Sequence, residues 1–401
     1  MKLAFLFPLF ISLAFTLQAQ TLKGRVVDAA TNETLEFVSV YLNTTTRGTT
    51  TNDKGEFALA MPSGTYDVIV SYLGYEPLVH RVQSDSLPPS ILFKLTPKAH
   101  MLGVVEVQGK RDAQWYDNLE VFKENFLGRS WIAKGCKLLN PEVLTIDFDQ
   151  PSGVMSVSAR GPLLIENSLL GYKVEYLLTE FTYRTKEGYV TFEGYPRYEP
   201  MQGSKSKQRR WDKNRESAYR GSAMHFARAL RQKKLEEEGF NLRRLYRLPN
   251  PNRPTDEEIA GARVHLRANG NTITISDSIS DILKRARLPR FVEKLDINPV
   301  PYTQYLTLDR GKAHVAFEQF MQVVYTGEQE EPAYVSSTAN FMNGSGMRKP
   351  TYQTSVFSLR ADGVEVEASG IFLNPLDVLF EGYWGWEKVG DMLPLDYQLS
   401  P

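Results

Sequence analysis

The sequence predicts a mainly β protein with an α+β C-terminal region: a seven-stranded-type antiparallel β-sandwich at the N-terminal end, followed by a β-rich domain with two amphipathic helices. Three observations predict it. The 401 residues suffice for two or three domains, each with a core of its own. From Thr21 to Pro97, short β-branched and aromatic runs alternate with clusters of Gly, Pro and Asx, the spacing of a small sandwich. At Trp115 the hydrophobic period then changes from two to 3.6, the helical repeat.

Composition narrows the function classes. With 42% hydrophobic and 23% charged residues, the chain is too apolar for a disordered polymer and too charged for a helical membrane bundle. The 47 Lys+Arg balance the 47 Asp+Glu, so no global field draws it to nucleic acid or an anionic membrane. A single cysteine, Cys136, excludes an internal disulfide framework and any multi-cysteine zinc site. Its apolar setting, WIAKGCKLLN, reads as a buried structural thiol.

Taken in order, the first 19 residues predict a secretory signal peptide. Lys2 precedes an apolar run from Leu3 to Leu17, and Gln18-Ala19-Gln20 supplies a small-residue site with cleavage after Ala19. That run is shorter than the ~20 apolar residues of a spanning helix. The expected placement is periplasmic or associated with the outer membrane. The sandwich occupies 20–97, a linker or edge strand 98–114, and an uncharacterised β-rich domain 115–401. Within the sandwich the expected strands are Leu22–Val27, Glu36–Leu42, Glu56–Ala60, Thr65–Tyr72 and Ile91–Leu95. In the fourth, Tyr66, Val68 and Val70 share one face. Asn52-Asp53-Lys54-Gly55 reads as a turn, because Asp53 and one neighbouring Glu are too few oxygens for a hard cation.

The series GRVVD, EFVSVYL, GTTTNDKGEFAL and PSGTYDVIVSYLGYEP resembles the carboxypeptidase-regulatory-like β-sandwich of Bacteroidetes envelope proteins, which is related to a transthyretin-like domain. The resemblance covers 21–97. It implies a prealbumin/Ig-like sandwich acting as an accessory module without a reactive centre. The same module begins many TonB-dependent receptors, where a stretch similar to Gly103–Gly109 (GVVEVQG) follows it.

Beyond the linker, Trp115, Leu119, Phe122 and Phe126 stand at i, i+4, i+7 and i+11, one face of a helix that Gly128 ends. Strands are expected at Val143–Phe148, Val154–Ala159, Tyr172–Tyr183 and Tyr189–Phe192. After a basic loop comes a second helix, Asn214–Glu238. Further strands are expected near Ala262–Arg267, Thr272–Ile275, Gln304–Leu308, Ala313–Tyr325, Tyr352–Arg360 and Val364–Ala368. FLGRSWIAKGCKLLNPEVL, YRGSAMHFARALRQKKLEEEGF and GYWGWEKVGDMLPLDY are similar to segments of uncharacterised Bacteroidetes proteins that carry the same sandwich, a resemblance that brings no activity with it.

No catalytic, cofactor or metal residue is predicted. A zinc carboxypeptidase needs H-x-x-E, yet the residues three after His80, His100, His225, His265 and His314 are Gln83, Gly103, Arg228, Ala268 and Phe317. Neither H-E-x-x-H nor the G-x-S-x-G elbow occurs, and Gly344-Ser345-Gly346 reads as a turn. A glycosidase needs only two opposed carboxylates, so a hydrolase acting on envelope glycans stays as an alternative. Ser204–Pro249 holds 14 Lys+Arg against five Asp+Glu, and its opening residues Lys205, Lys207, Arg209 and Arg210 form a candidate anionic-ligand patch. Tyr383, Trp384 and Trp386 are either an aromatic platform for sugar rings or the closure of a core with Val389, Leu393 and Leu395.

The leading expectation is a noncatalytic cell-envelope binding or scaffolding protein. Its expected partner is another envelope protein, an anionic glycan or a lipid head group, with peripheral membrane association and without nucleic acid. A second alternative is an outer-membrane-associated component related to the N-terminal modules of TonB-dependent receptors. An eight-stranded barrel would then turn Tyr172, Val174, Tyr176 and Leu178 to lipid, a face that Glu180 interrupts.

Overall fold

The computed structural model describes residues 20–98, 111–268, 277–338 and 348–399. The expected signal peptide, His100, the GVVEVQG stretch, the strand expected at Thr272–Ile275 and the turn expected at Gly344–Gly346 lie outside the described residues. The described residues divide into two compact units with the boundary at Gly109/Lys110, and Tyr195–Tyr198 group with the first.

The first unit is built from β1 (Gln20–Asp28), β2 (Ser39–Leu42), β3 (Gly48–Thr50), β4 (Glu56–Met61), β5 (Thr65–Ser71), β6 (Leu78–Gln83) and β7 (Ile91–Leu95). They form two sheets, in the orders β4-β1-β7 and β3-β2-β5-β6. Every pairing is antiparallel except β1 with β7. The predicted alternation lands inward: Leu22, Val26, Val40, Val68, Val70, Phe93 and Leu95 share one core. The second expected run is shorter than predicted because Phe37 takes φ +58 and is 69% exposed. Two motif segments meet at Asp28. Its Oδ1 accepts the amides of Ala30 and Thr31, and the Tyr75 hydroxyl donates to its Oδ2 at 2.8 Å. These donors, the Thr31 amide foremost, hold the carboxyl below its ordinary range. At the Asn52–Gly55 turn, Asn52 Oδ1 accepts the amides of Lys54 and Glu56, and a side chain at Gly55 (φ +70) would strike the Val26 carbonyl.

The second unit opens with α1 (Ala113–Phe126), where Asp112 caps the Trp115 amide and Gly128 at φ +104 follows the end. β8 (Cys136–Leu138), β9 (Leu144–Asp149), β10 (Val154–Ala159), β11 (Leu163–Asn167), β12 (Tyr172–Arg184) and β13 (Tyr189–Pro200) make one sheet, ordered β8-β11-β12-β10-β9 with β13 on β12. Leu119, Phe122 and Phe126 of α1 are buried, and the Phe126 ring lies 4.9 Å from Tyr176 and 5.4 Å from Phe192. Tyr172, Val174, Tyr176 and Leu178, the face weighed as lipid-facing, are each below 7% exposed and belong to the interior.

There follow α2 (Lys205–Tyr219), α3 (Ala223–Arg231), β14 (Phe240–Pro249), α4 (Asp256–Ala268), α5 (Asp277–Arg285), β15 (Phe291–Leu295), β16 (Leu306–Asp309), β17 (Lys312–Val315), β18 (Phe320–Gln329), α6 (Pro332–Thr338), β19 (Tyr352–Leu359), β20 (Val364–Val366), β21 (Val378–Gly382) and α7 (Tyr383–Trp386). Two sheets result, β15-β14-β18-β19-β21 and β16-β17-β20. They share a core with α3, centred on Phe226, Phe240, Phe357 and Trp384.

Three expectations are corrected here. The helix expected over Asn214–Glu238 starts at Lys205, so the basic loop is helical, and it breaks in two at Gly221. That residue has φ +78, and a Cβ there would meet Tyr325 and Gln353. The strand expected near Ala262–Arg267 belongs to helix α4, which a reciprocal cap starts: the Thr255 amide donates to Glu258 and the Glu258 amide to Thr255 Oγ1. The run Ala313–Tyr325 is two strands, parted where Gln319 takes φ +68. Among the described residues, no helix is long and apolar enough to cross a membrane.

Phe126 is fully buried and touched by rings on both sides. Phe126→Ala is expected to destabilise the second unit by about 3–5 kcal/mol, read from the midpoint of urea unfolding.

Candidate functional site

Helix α2 starts at Ser204, whose Oγ accepts the Lys207 amide. One aromatic residue pins it to the unit. Trp211 is 2% exposed and donates Nε1 to the Ser168 carbonyl at 2.9 Å, and side chains at Gly171 or Gly203 would collide with its ring. Asn214 donates to the Leu169 carbonyl, while Arg215 donates to those of Leu170 and Gly171 and lies over the Tyr172 ring at 4.2 Å. With the inner side so fixed, Lys205, Lys207, Arg209 and Arg210 are exposed, and among the described residues none of the four is in an ion pair. Lys205 and Lys207 stand in the first turn, at the positive end of the helix dipole, with no acid beside them, and Arg209 and Arg210 follow in the second turn. That placement costs helix stability and leaves the first two turns of α2 positive.

Three arginines further along the basic stretch are structural, whereas Lys213, Lys233 and Lys234 are exposed like the four. Arg228 is 8% exposed and donates to the carbonyls of Ser369, Leu395 and Tyr397 at 2.9–3.0 Å, clamping the C-terminal segment onto α3. Arg231 donates to the Val366 carbonyl. Arg247 pairs with Glu293 and Glu381 while lying over Phe320. Charge counting in a sequence cannot separate these arginines from the four exposed cations.

The aromatic candidates divide. Tyr383 and Trp384 are 3% and 6% exposed, so neither offers a ring face to a sugar; Trp384 donates Nε1 to the Gly221 carbonyl and packs 5.0 Å from Phe226. Trp384 belongs to the core around Phe226, and Tyr383, Val389, Leu393 and Leu395 are buried as well. Trp386 is half-buried, with Tyr334 at 5.7 Å and the Arg129 guanidinium at 5.5 Å.

Sequence reasoning missed a carboxylate joint beneath these rings. It forms where FLGRSWIAKG meets GYWGWEKVGD. Ser130 donates its hydroxyl to Asp391 and accepts the Ala133 amide; the Lys388 amide donates to the other Asp391 oxygen. The Gly390 amide donates to the Leu127 carbonyl, and Asn167 Nδ2 to the Gly390 carbonyl. Nearby, the Trp131 amide donates to Glu331. Burial pushes Asp391 up to about 7, opposed by the Ser130 and Lys388 donors and reinforced by the Glu331 charge. Burial, then the charges of Asp391 and Glu331, raise Glu387 well above its ordinary range.

This arrangement can hold protons near neutrality. It cannot present two carboxylates across an open cleft, because Ser130 is 1% and Asp391 8% exposed. Cys136 is pushed up to about 12 by burial and by the Asp391 charge, which keeps it a thiol rather than a nucleophile. His225, 3% exposed, is held between the Gly221 amide and Glu238. Among the described residues, no group of three or more His, Cys, Asp or Glu is placed to hold a metal ion.

Because Asp391 is raised in the folded state, its proton stabilises the fold fully below ~4, the ordinary aspartate value, and that contribution is gone above about 7. Stability of the second unit is expected to fall as pH rises through this window, with a slope of up to about 1.4 kcal/mol per pH unit from this one group. Asp391→Asn should flatten the slope, measured by urea unfolding at a series of pH values.

No curated protein matches the chain. A solved structure of a Bacteroides fragilis protein of unknown function, proposed to be membrane-associated, aligns over 91% of this chain and 95% of its own at 8% identity, with a TM-score of 0.16. A similarity that low carries no inference about fold or function. Residues 22–107 match the family model of the CarboxypepD_reg-like domain, and the seven-stranded sandwich of the first unit is a domain of that type.

Proposed function

We propose that this chain is a noncatalytic cell-envelope protein that binds or scaffolds a polyanionic envelope component through α2. The observation that carries the reading is the exposed cationic set Lys205, Lys207, Arg209 and Arg210 on a helix whose inner side Trp211 and Arg215 lock in place. A docked helix that leaves four cations unpaired over its first two turns gives up helix stability to hold that charge, which suits the repeated phosphate or carboxylate groups of a glycan or lipid surface. Two further features support it: the CarboxypepD_reg-like module, expected to be an accessory domain, and the leader at the N-terminus, expected to direct export to the periplasm or the outer membrane. The buried carboxylate joint at Asp391 is occupied in holding the second unit together, which favours binding over hydrolysis.

The test is binding of the purified protein to heparin and to vesicles containing anionic phospholipid. At about 1 kcal/mol per surface cation, replacing all four residues with Ala should weaken binding on the order of a hundred-fold or more. Affinity of the native protein should also fall steeply with salt. Unchanged binding by the fourfold variant, or robust glycan hydrolysis by the native protein, would overturn the reading.

A further inference from the structure

Strand β15 ends the sheet β15-β14-β18-β19-β21, and among the described residues it is paired only with β14. The Arg290 carbonyl accepts the Asn250 amide, and the Asp296 amide donates to the Arg244 carbonyl. Even-numbered positions therefore turn their main-chain groups towards β14. By the alternation of an antiparallel ladder, the N–H and C=O of Phe291, Glu293 and Leu295 face away from it. The side chains are as open as the edge: Phe291 is 50% exposed, Val292 47%, and Leu248 opposite Val292 50%. A groove of about 720 Å³ runs beside the strand, lined by Arg247, Arg290, Phe291, Val292 and Phe320 among others.

Two features of this edge say what fits it. Its unpaired main-chain groups need donors and acceptors at strand spacing, which a hydrocarbon surface cannot supply. The segment that carries it is basic: residues 281–296 hold Lys284, Arg285, Arg287, Arg290 and Lys294 against Asp281, Glu293 and Asp296. Arg285 and Arg290 are in exposed pairs with Asp281 and Asp256, while among the described residues Lys284, Arg287 and Lys294 have no ion-pair partner. Edge-to-edge pairing with a second copy would bring two such segments together, setting cations against cations. An acidic strand meets both demands.

We propose that the open edge of β15 and its groove accept an extended, acidic segment of another protein, which joins the sheet as an added antiparallel or parallel strand. Main-chain bonds at Phe291, Glu293 and Leu295 hold the segment. The rings of Phe291 and Phe320 take its apolar side chains, and Lys284, Arg287 and Lys294 select its charge. This surface is separate in sequence from α2, so either proposal can fail without the other.

The experiment uses the full chain and a fluorescent ten-residue peptide of alternating Glu and Val, with the Lys/Val peptide as its counterpart. Fluorescence anisotropy should report binding of the acidic peptide and at least tenfold weaker binding of the basic one. Glu293→Pro removes an outward N–H without touching the β14 ladder and should weaken binding at least tenfold, whereas Glu293→Gln should stay within threefold of the native protein. Hydrogen exchange on the native protein decides the matter should the proline variant not fold: the acidic peptide should protect the amides of Phe291, Glu293 and Leu295, and leave those of Val292 and Lys294 unchanged. No protection at millimolar peptide, equal binding of the two peptides, protection by anionic vesicles in place of peptide, or a concentration-dependent dimer through this edge would each overturn the proposal.

Discussion

The second unit depends on satisfying a buried carboxylate. Asp391 sits where water is excluded, and an unpaired charge there would cost several kcal/mol. The Ser130 hydroxyl and the Lys388 amide supply its partners, while Asn167 and Leu127 bond the next residue, Gly390. Gly390 is needed at that point because a side chain would strike the Leu127 carbonyl and Ala133. The segment around Gly390 is thus tied to the segment after α1, and Trp384 of α7 belongs to the core.

The same economy governs the cations. Arg228 is buried because three main-chain carbonyls of the C-terminal segment converge on its guanidinium, whose planar set of donors matches them. Arg215 and Arg247 combine hydrogen bonds with a ring face. Lys205, Lys207, Arg209 and Arg210 do none of this. Their helix is held by Trp211 on its inner side, so their exposure follows from where that one ring docks. A basic stretch of sequence therefore resolves into an inner set that closes the fold and an outer set left exposed.

Much of this was legible in the sequence where the pattern was local. Five of the seven sandwich strands follow from apolar runs, and the helix carrying Phe122 and Phe126 from their spacing. The two missed strands had no such signal: β3 has three residues, and β6 buries only Val82. A helix, α4, stands where a strand is expected near Ala262–Arg267, because the cap that starts it, Thr255 with Glu258, lies upstream of that run. The carboxylate joint was invisible for a different reason, since Ser130 and Asp391 are 261 positions apart and neither belongs to a spaced motif. Two of the segments singled out by resemblance, around Trp131 and around Trp384, turn out to face each other across that joint.

The account stands on the joint being a structural tie rather than a reactive centre. A double-mutant cycle on Ser130→Ala and Asp391→Asn, followed by urea unfolding near neutral pH, tests it most directly. Two groups that hold one fold together should couple by about 1–3 kcal/mol. Additive losses, with coupling near zero, would contradict the account and leave the burial of Asp391 without the role assigned to it.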